Sequence, residues 1–213
     1  MQRTTKGTEP PCLAQYRPAG EADWDRDVGG DDKAAVRKKL CEEQRHLCCF
    51  CEGRIRPTAD KMKVAHFVPQ SVDPSLMFRW SNLFGACFGG QGEPPRRQHC
   101  DTKQGNQRLD SRLLPTQLAK GTIRFATTGR VIANDPALQA EIDQKLNLNL
   151  TRLVDNRKAA REAMVQAMGK GKWTLADVQH KIDEMTSGNV VVRAEYQSYL
   201  LWWLERRLSN VGK

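Results

Sequence analysis

No apolar run in this sequence approaches the roughly 20 residues that a bilayer-spanning helix needs. The opening stretch, MQRTTKGTEPPCLAQ, lacks the hydrophobic core of a secretory signal. These two absences argue against a membrane protein and an exported one, so a cytoplasmic protein is expected. There is no internal repeat and no low-complexity tract, which argues against a solenoid or a long disordered linker. Nor does any helical stretch look like a reader of the DNA major groove. The apolar share is only 39%, with 28% charged residues, a soluble globular balance. A chain of 213 residues can bury a core of its own and needs no disulfides to stand.

What the chain does have is positive charge and thiols. Lys and Arg number 34 against 25 acidic residues, a net charge of +9 that favours a polyanionic partner. The seven cysteines are an odd number. In a reducing compartment, grouped thiols point to a metal more than to disulfides.

Three regions are expected. Residues 1–30 read as an irregular N-terminal arm that packs through Tyr16 and Trp24. Residues 31–115 carry the thiols. They open on a helix, DDKAAVRKKLCEEQRHL, capped by Asp31 or Asp32. A short strand, KMKVAHFV, follows, and a short helix begins near Asp101. Residues 116–213 start with a hairpin around Thr128 and Gly129 and then turn helical. Asp135 caps one helix, with Leu138, Ile142 and Leu146 on one face. A second helix ends at Gly169 or Gly171. A third starts in a capping box of Thr174 and Asp177. The last runs from about Val192 to Leu208. It contains six consecutive apolar residues, Tyr199 to Leu204, too many for one helical face. Either this helix is buried on several sides within the chain, or another protein covers part of it; on the second reading Trp202 or Trp203 is exposed and lies at a protein contact.

Cys48 and Cys51 form a C-x2-C pair, which lets a tight turn present two thiolates to one tetrahedral ion. Cys87 and Cys100 have 12 residues between them, a Gly- and Pro-rich loop able to bring them together. The quartet would make an all-cysteine structural zinc site whose binding energy is folding energy. Cys49 could replace Cys48, and His99 could replace Cys100. Cys12 and Cys41 read as isolated buried thiols, and His46 and His180 as surface positions on helices.

His66 ends the strand-like run, just before Phe67-Val68-Pro69. Asn82 follows in WSNLFGAC, then Cys87, Cys100 and Asp101. This order resembles the HNH motif of the ββα-metal endonucleases. More closely, CCFCE, VAHFVPQS, WSNLFGAC, HCDTKQGN and LNLNLTRLVDNR are similar to the HNH subunit of the Septu antiphage systems, retron-associated members included. The resemblance spans about residues 40–157. It implies an α+β, mostly helical chain: a zinc-stabilised ββα-metal module with an N-terminal helix and a C-terminal helical layer. The implied activity is metal-dependent phosphodiester hydrolysis in DNA or RNA. His66 would be the base, and Asn82 would orient the imidazole or fix its loop. Asp101 would bind a catalytic Mg²⁺ or Mn²⁺, and the zinc would be structural. The resemblance further implies a defence effector gated by an ATPase of the ABC or SMC-like class. The chemistry suits the residues, since a neutral imidazole is a competent base near pH 7.

Basic residues flank these motifs: Arg54, Arg56, Lys61, Lys63, Arg96, Arg97, Lys103, Arg108 and Arg112. Arg96, Arg97, Lys103 and Arg108 are expected to contact backbone phosphates, which gives affinity without sequence choice. One feature departs from the motif. Many HNH sequences carry an acidic metal ligand just before the base histidine, where this chain has Ala65. A replacement ligand would be Asp73, Asp101 or His99, or would come from a partner chain. Otherwise the chain is a zinc-stabilised nucleic-acid-binding or adaptor subunit with little activity of its own.

Overall fold

The computed structural model describes residues 1–17, 22–169 and 173–211. The fold is α+β, with α-helices and two separate two-stranded antiparallel sheets. The N-terminal segment is less irregular than expected. It holds a 3-10 turn, Pro11–Tyr16, and one α turn, α1, Trp24–Asp27. Asp23 caps α1 by accepting the N–H groups of Asp25 and Arg26. Tyr16 stacks on Phe78, and Trp24 is buried.

Helix α2, Gly30–Glu43, is capped by Gly29 and not by an aspartate. Asp31 and Asp32 instead lie in its first turn, where negative charge suits the positive end of the helix dipole. Val36, Leu40 and Cys41 face the core. Arg45 and His46 then take left-handed backbone angles (φ 52° and 64°) and turn the chain back. His46 therefore lies beyond the helix on which it was expected. A bridge between Leu47 and Arg54 closes a tight turn carrying Cys48 and Cys51.

Strand β1, Lys63–His66, pairs antiparallel with β2, Leu83–Ala86, with Lys63 opposite Ala86 and His66 opposite Leu83. The chain then loops back to α3, Cys100–Gln104. Gly89 makes that loop possible. Its φ is +55°, and a Cβ there would lie 2.0 Å from the His99 carbonyl oxygen. The Gly89 carbonyl accepts the His99 N–H at 2.9 Å, so both ends of the loop meet and Cys87 arrives beside Cys100.

Strands β3, Ile123–Phe125, and β4, Val131–Ala133, form the expected hairpin, with Gly129 at φ +86° in its turn. Helix α4, Pro136–Ala140, has Asp135 as cap and widens into a π turn over Glu141–Lys145. Leu138, Ile142 and Leu146 are all buried, as their spacing predicts. Helix α5, Thr151–Ala167, ends ahead of Gly169 at φ +86°, while Gly171 lies outside the described residues. Helix α6, Leu175–Thr186, carries the predicted Thr174–Asp177 capping box.

The last helix, α7, Gln197–Val211, starts five residues later than expected. The cause is local. Tyr196 sits at φ 57° with its N–H on the Glu52 carbonyl, and Val192 is left exposed. Tyr199, Leu200 and Leu204 are buried. Trp202 and Trp203 are partly exposed, neither bare nor fully buried. Trp202 stacks on Tyr199, and Trp203 meets Trp173 edge to face. Among the described residues, no helix is long and apolar enough to cross a membrane.

Candidate functional site

The four thiols converge. The sulfurs of Cys48, Cys51, Cys87 and Cys100 all lie within 4.8 Å of one another. Cys48 to Cys100 measures 3.9 Å and Cys51 to Cys87 measures 3.7 Å. A tetrahedral ion with zinc–sulfur bonds of about 2.3 Å would separate its sulfurs by about 3.8 Å. The donor set and its spacing therefore fit a structural zinc. All seven cysteines are free thiols. Burial, reinforced by the neighbouring Cys48 sulfur, pushes the Cys100 thiol well above its ordinary range, so the quartet needs a cation to ionise together.

Cys49 is buried but stands outside the quartet. His99 is not a member either. Its Nδ1 lies 3.1 Å from the Cys100 sulfur, placed to donate to a thiolate and fix the ligand's orientation. Arg157, which the sequence did not single out, is buried and donates to the carbonyls of Gly129 (3.1 Å) and Leu148 (2.9 Å). Its charge interacts with Cys51 and Cys100. A zinc tetrathiolate carries about −2 net charge, and this guanidinium opposes it from the C-terminal layer.

His66 ends β1 and is 7% exposed. Its Nε2 donates to the Met77 carbonyl at 3.0 Å, which leaves Nδ1 as the accepting nitrogen. The Gln70 amide nitrogen lies 3.2 Å from Nδ1. Trp24 packs its ring edge to face with the imidazole, centroids 5.3 Å apart. Burial holds the His66 pKa below its ordinary value of 6.5, against the opposing pull of the Met77 carbonyl, Asp101 and Asp25. The ring is therefore neutral at pH 7, the state a proton acceptor needs.

The side chain of Asn82 makes its hydrogen bonds to the backbone of the loop and not to His66. Its Oδ1 accepts the Val68 N–H at 2.8 Å, and its Nδ2 donates to the carbonyls of Val68 (3.0 Å) and Leu76 (3.2 Å). It pins the loop between β1 and β2, the loop that carries Met77. Of the two roles implied for it, the geometry supports loop fixing.

His66 and Asp101 line one open cleft of about 560 Å³. Trp24, Phe88, Asp25, Lys33, Arg37 and Lys63 form its other charged and aromatic walls. Lys33 and Arg37, one turn apart on α2, were not singled out from the sequence, although their i, i+4 spacing puts them on one helix face. Of the basic residues expected around the site, only Lys63 lines the cleft. Arg96, Arg97 and Arg108 are exposed elsewhere, and Lys103 donates to the Pro95 carbonyl. Arg54 is spent on the carbonyls of His46 and Arg193, and Arg112 on Asp110 and Asp135.

The cleft is a poor fit for a catalytic Mg²⁺ or Mn²⁺. Ala65 is 1% exposed and lies in the core. Asp73 caps a 3-10 turn by accepting from Ser75, and His99 faces the thiols, so neither replaces the missing ligand. The Asp101 carboxylate is already paired with the Lys63 ammonium at 2.7 Å. Asp25, Asp101 and His66 share the cleft without converging. Among the described residues, the thiol quartet is the one group of three or more His, Cys, Asp or Glu side chains whose ligand atoms meet. No protein-family model matches this chain, and no curated protein matches it in sequence.

Proposed function

We propose that this chain is an endonuclease of the HNH type, hydrolysing phosphodiester bonds in nucleic acid, with a structural zinc beside the cleavage site. The observation that carries this reading is the state and setting of His66. Its ring is neutral, its tautomer is set by the Met77 carbonyl, and it faces a cleft walled by Lys33, Arg37 and Lys63. The order β1, β2, α3, with the histidine at the end of β1 and Asp101 at the start of α3, supports the same reading. So does the thiol quartet, which ties together the turn before β1, the end of β2 and the start of α3.

In this mechanism the phosphate enters the cleft, and the cationic side chains offset its charge. Nδ1 of His66 takes the proton of an attacking water, Gln70 giving way to it. Trp24 keeps bulk water from one face of the ring. Asn82 acts at one remove, as a positioning residue for the loop. Loss of a general base costs on the order of 10²–10⁴ in rate. His66→Ala should therefore abolish cleavage of labelled DNA and RNA while leaving zinc content unchanged. Equal cleavage by both proteins would remove His66 as the base.

The defence role and the ATPase partner belong to the same proposal, and they rest on the motif order alone. The second reading, a zinc-stabilised adaptor that binds nucleic acid without cutting it, is favoured by Ala65 and by the unconverged donors of the cleft. Absence of cleavage with Mg²⁺, Mn²⁺ and Ni²⁺, alone and with the ATPase, would decide for it.

A further inference from the structure

The mismatch between the cleft and a divalent ion has a positive side, which is Lys63. Its ammonium donates to Asp101 Oδ2 at 2.7 Å and to Thr102 Oγ1 at 3.2 Å. Thr102 is itself held by its own donation to the Phe88 carbonyl at 2.7 Å. An ammonium has three N–H groups. Two of them are occupied here, and the third has no protein partner among the described residues, while the side chain lines the cleft that His66 lines. A lysine built this way is a cation fixed in place, not a freely moving surface charge.

We propose that the Lys63 ammonium, positioned by Asp101 and Thr102, is the phosphate-binding cation of this site, so that substrate binding and cleavage need no divalent ion at Asp101. This rests on the endonuclease reading above. Asp101 then serves as a positioning residue for Lys63 instead of a metal ligand. Ala65 ceases to be a defect, because no second carboxylate is required. Lys33 and Arg37 line the same cleft from α2 and supply further cations for the flanking phosphates. The step balances with water alone. The water proton passes to His66 Nδ1 and a new oxygen–phosphorus bond forms. The bond to the leaving oxygen breaks, and that oxygen takes a proton from solvent.

The test uses the full chain with its zinc in place, its zinc content measured after treatment with a chelator. Binding of a fluorescent oligonucleotide is followed by anisotropy in the chelator, for the wild type, Lys63→Met, Lys63→Arg, Asp101→Asn and the control Lys61→Met. Lys61 is an exposed lysine outside the cleft. Lys63→Met should weaken binding on the order of tenfold to a hundredfold, the size of a lost charge-assisted hydrogen bond. Lys63→Arg should retain most of the binding, Asp101→Asn should fall between, and Lys61→Met should change it by roughly twofold or less. Cleavage by the wild type should persist in the chelator. Lys63→Met binding as well as the wild type would overturn the proposal, as would cleavage that vanishes in the chelator and returns with Mg²⁺. If His66→Ala cuts like the wild type, the endonuclease reading fails instead, and the binding series still decides the role of Lys63.

Discussion

Replacing Cys51 by Ser removes one of four thiolates from the quartet, and the consequences extend beyond the metal. Structural zinc in small sites is bound with roughly 10–16 kcal/mol. A quarter of that is about 2.5–4 kcal/mol, so zinc should bind on the order of 10²–10³-fold more weakly at about 1.4 kcal/mol per decade. The next residue, Glu52, is buried at φ 65° and anchors the start of α7. Its carbonyl accepts the Tyr196 N–H at 3.0 Å, and its carboxylate accepts the Ser198 N–H at 2.8 Å. Losing the metal should therefore loosen the junction with the C-terminal layer as well as the turn. The assay is zinc content after dialysis against a chelator, with hydrogen exchange at the amides of Tyr196 and Ser198. Cys51→Ser should lose zinc and exchange faster at both amides, while Cys49→Ser should hold its metal. A Cys51→Ser protein with full zinc and unchanged melting would refute the assignment.

Three further outcomes are expected. Asn82→Ala strips partners from the Val68 N–H and from the carbonyls of Val68 and Leu76. It should lower stability by about 1–3 kcal/mol, the cost of one fully buried group left unpaired spread over three part-buried ones; an unchanged denaturant midpoint would count against the loop-pinning role. Gly89→Ala places a Cβ against the His99 carbonyl in a left-handed conformation, and should part Cys87 from Cys100, read as reduced zinc content. The third outcome concerns pH. Because burial holds the folded His66 pKa below 6.5, the ring's contribution to stability is fully present above pH 6.5 and is lost as pH falls below it. Cleavage by the wild type should follow the same direction, with an acid limb below pH 6.5; a rate that rises as pH falls from 7 to 5 would contradict a neutral base.

Much of the local architecture was legible because it is written in short-range chemistry. The Thr174–Asp177 box, the Asp135 cap and the Gly129 turn each need only a few neighbouring residues to act. The thiol quartet was legible for another reason. Four like ligands have few uses other than a shared ion, and a C-x2-C pair already commits two of them. The α2 cap was misread because aspartate is a good cap wherever it stands. Here Gly29 takes the cap, and both aspartates serve the helix dipole from within the first turn. The start of α7 was misread because its propensity runs on through Val192, whereas a long-range bond from Tyr196 to Glu52 stops the helix there.

The cleft was the least legible part, because its walls come from segments far apart in the chain. Lys33 and Arg37 belong to α2, Asp25 and Trp24 to the N-terminal segment, and Lys63 and His66 to β1. Basic residues near a motif in sequence, such as Arg96 and Arg97, turned out to be poor guides to charge near His66 in space. The charge that matters is set by packing: Trp24 against the imidazole brings Asp25 to the cleft, and the β1–α3 contact brings Lys63 onto Asp101. The same packing explains why one alanine does not decide the chemistry. Position 65 points into the core beside Phe84, so whatever cation meets a phosphate at this site must be supplied by side chains on the cleft's own walls.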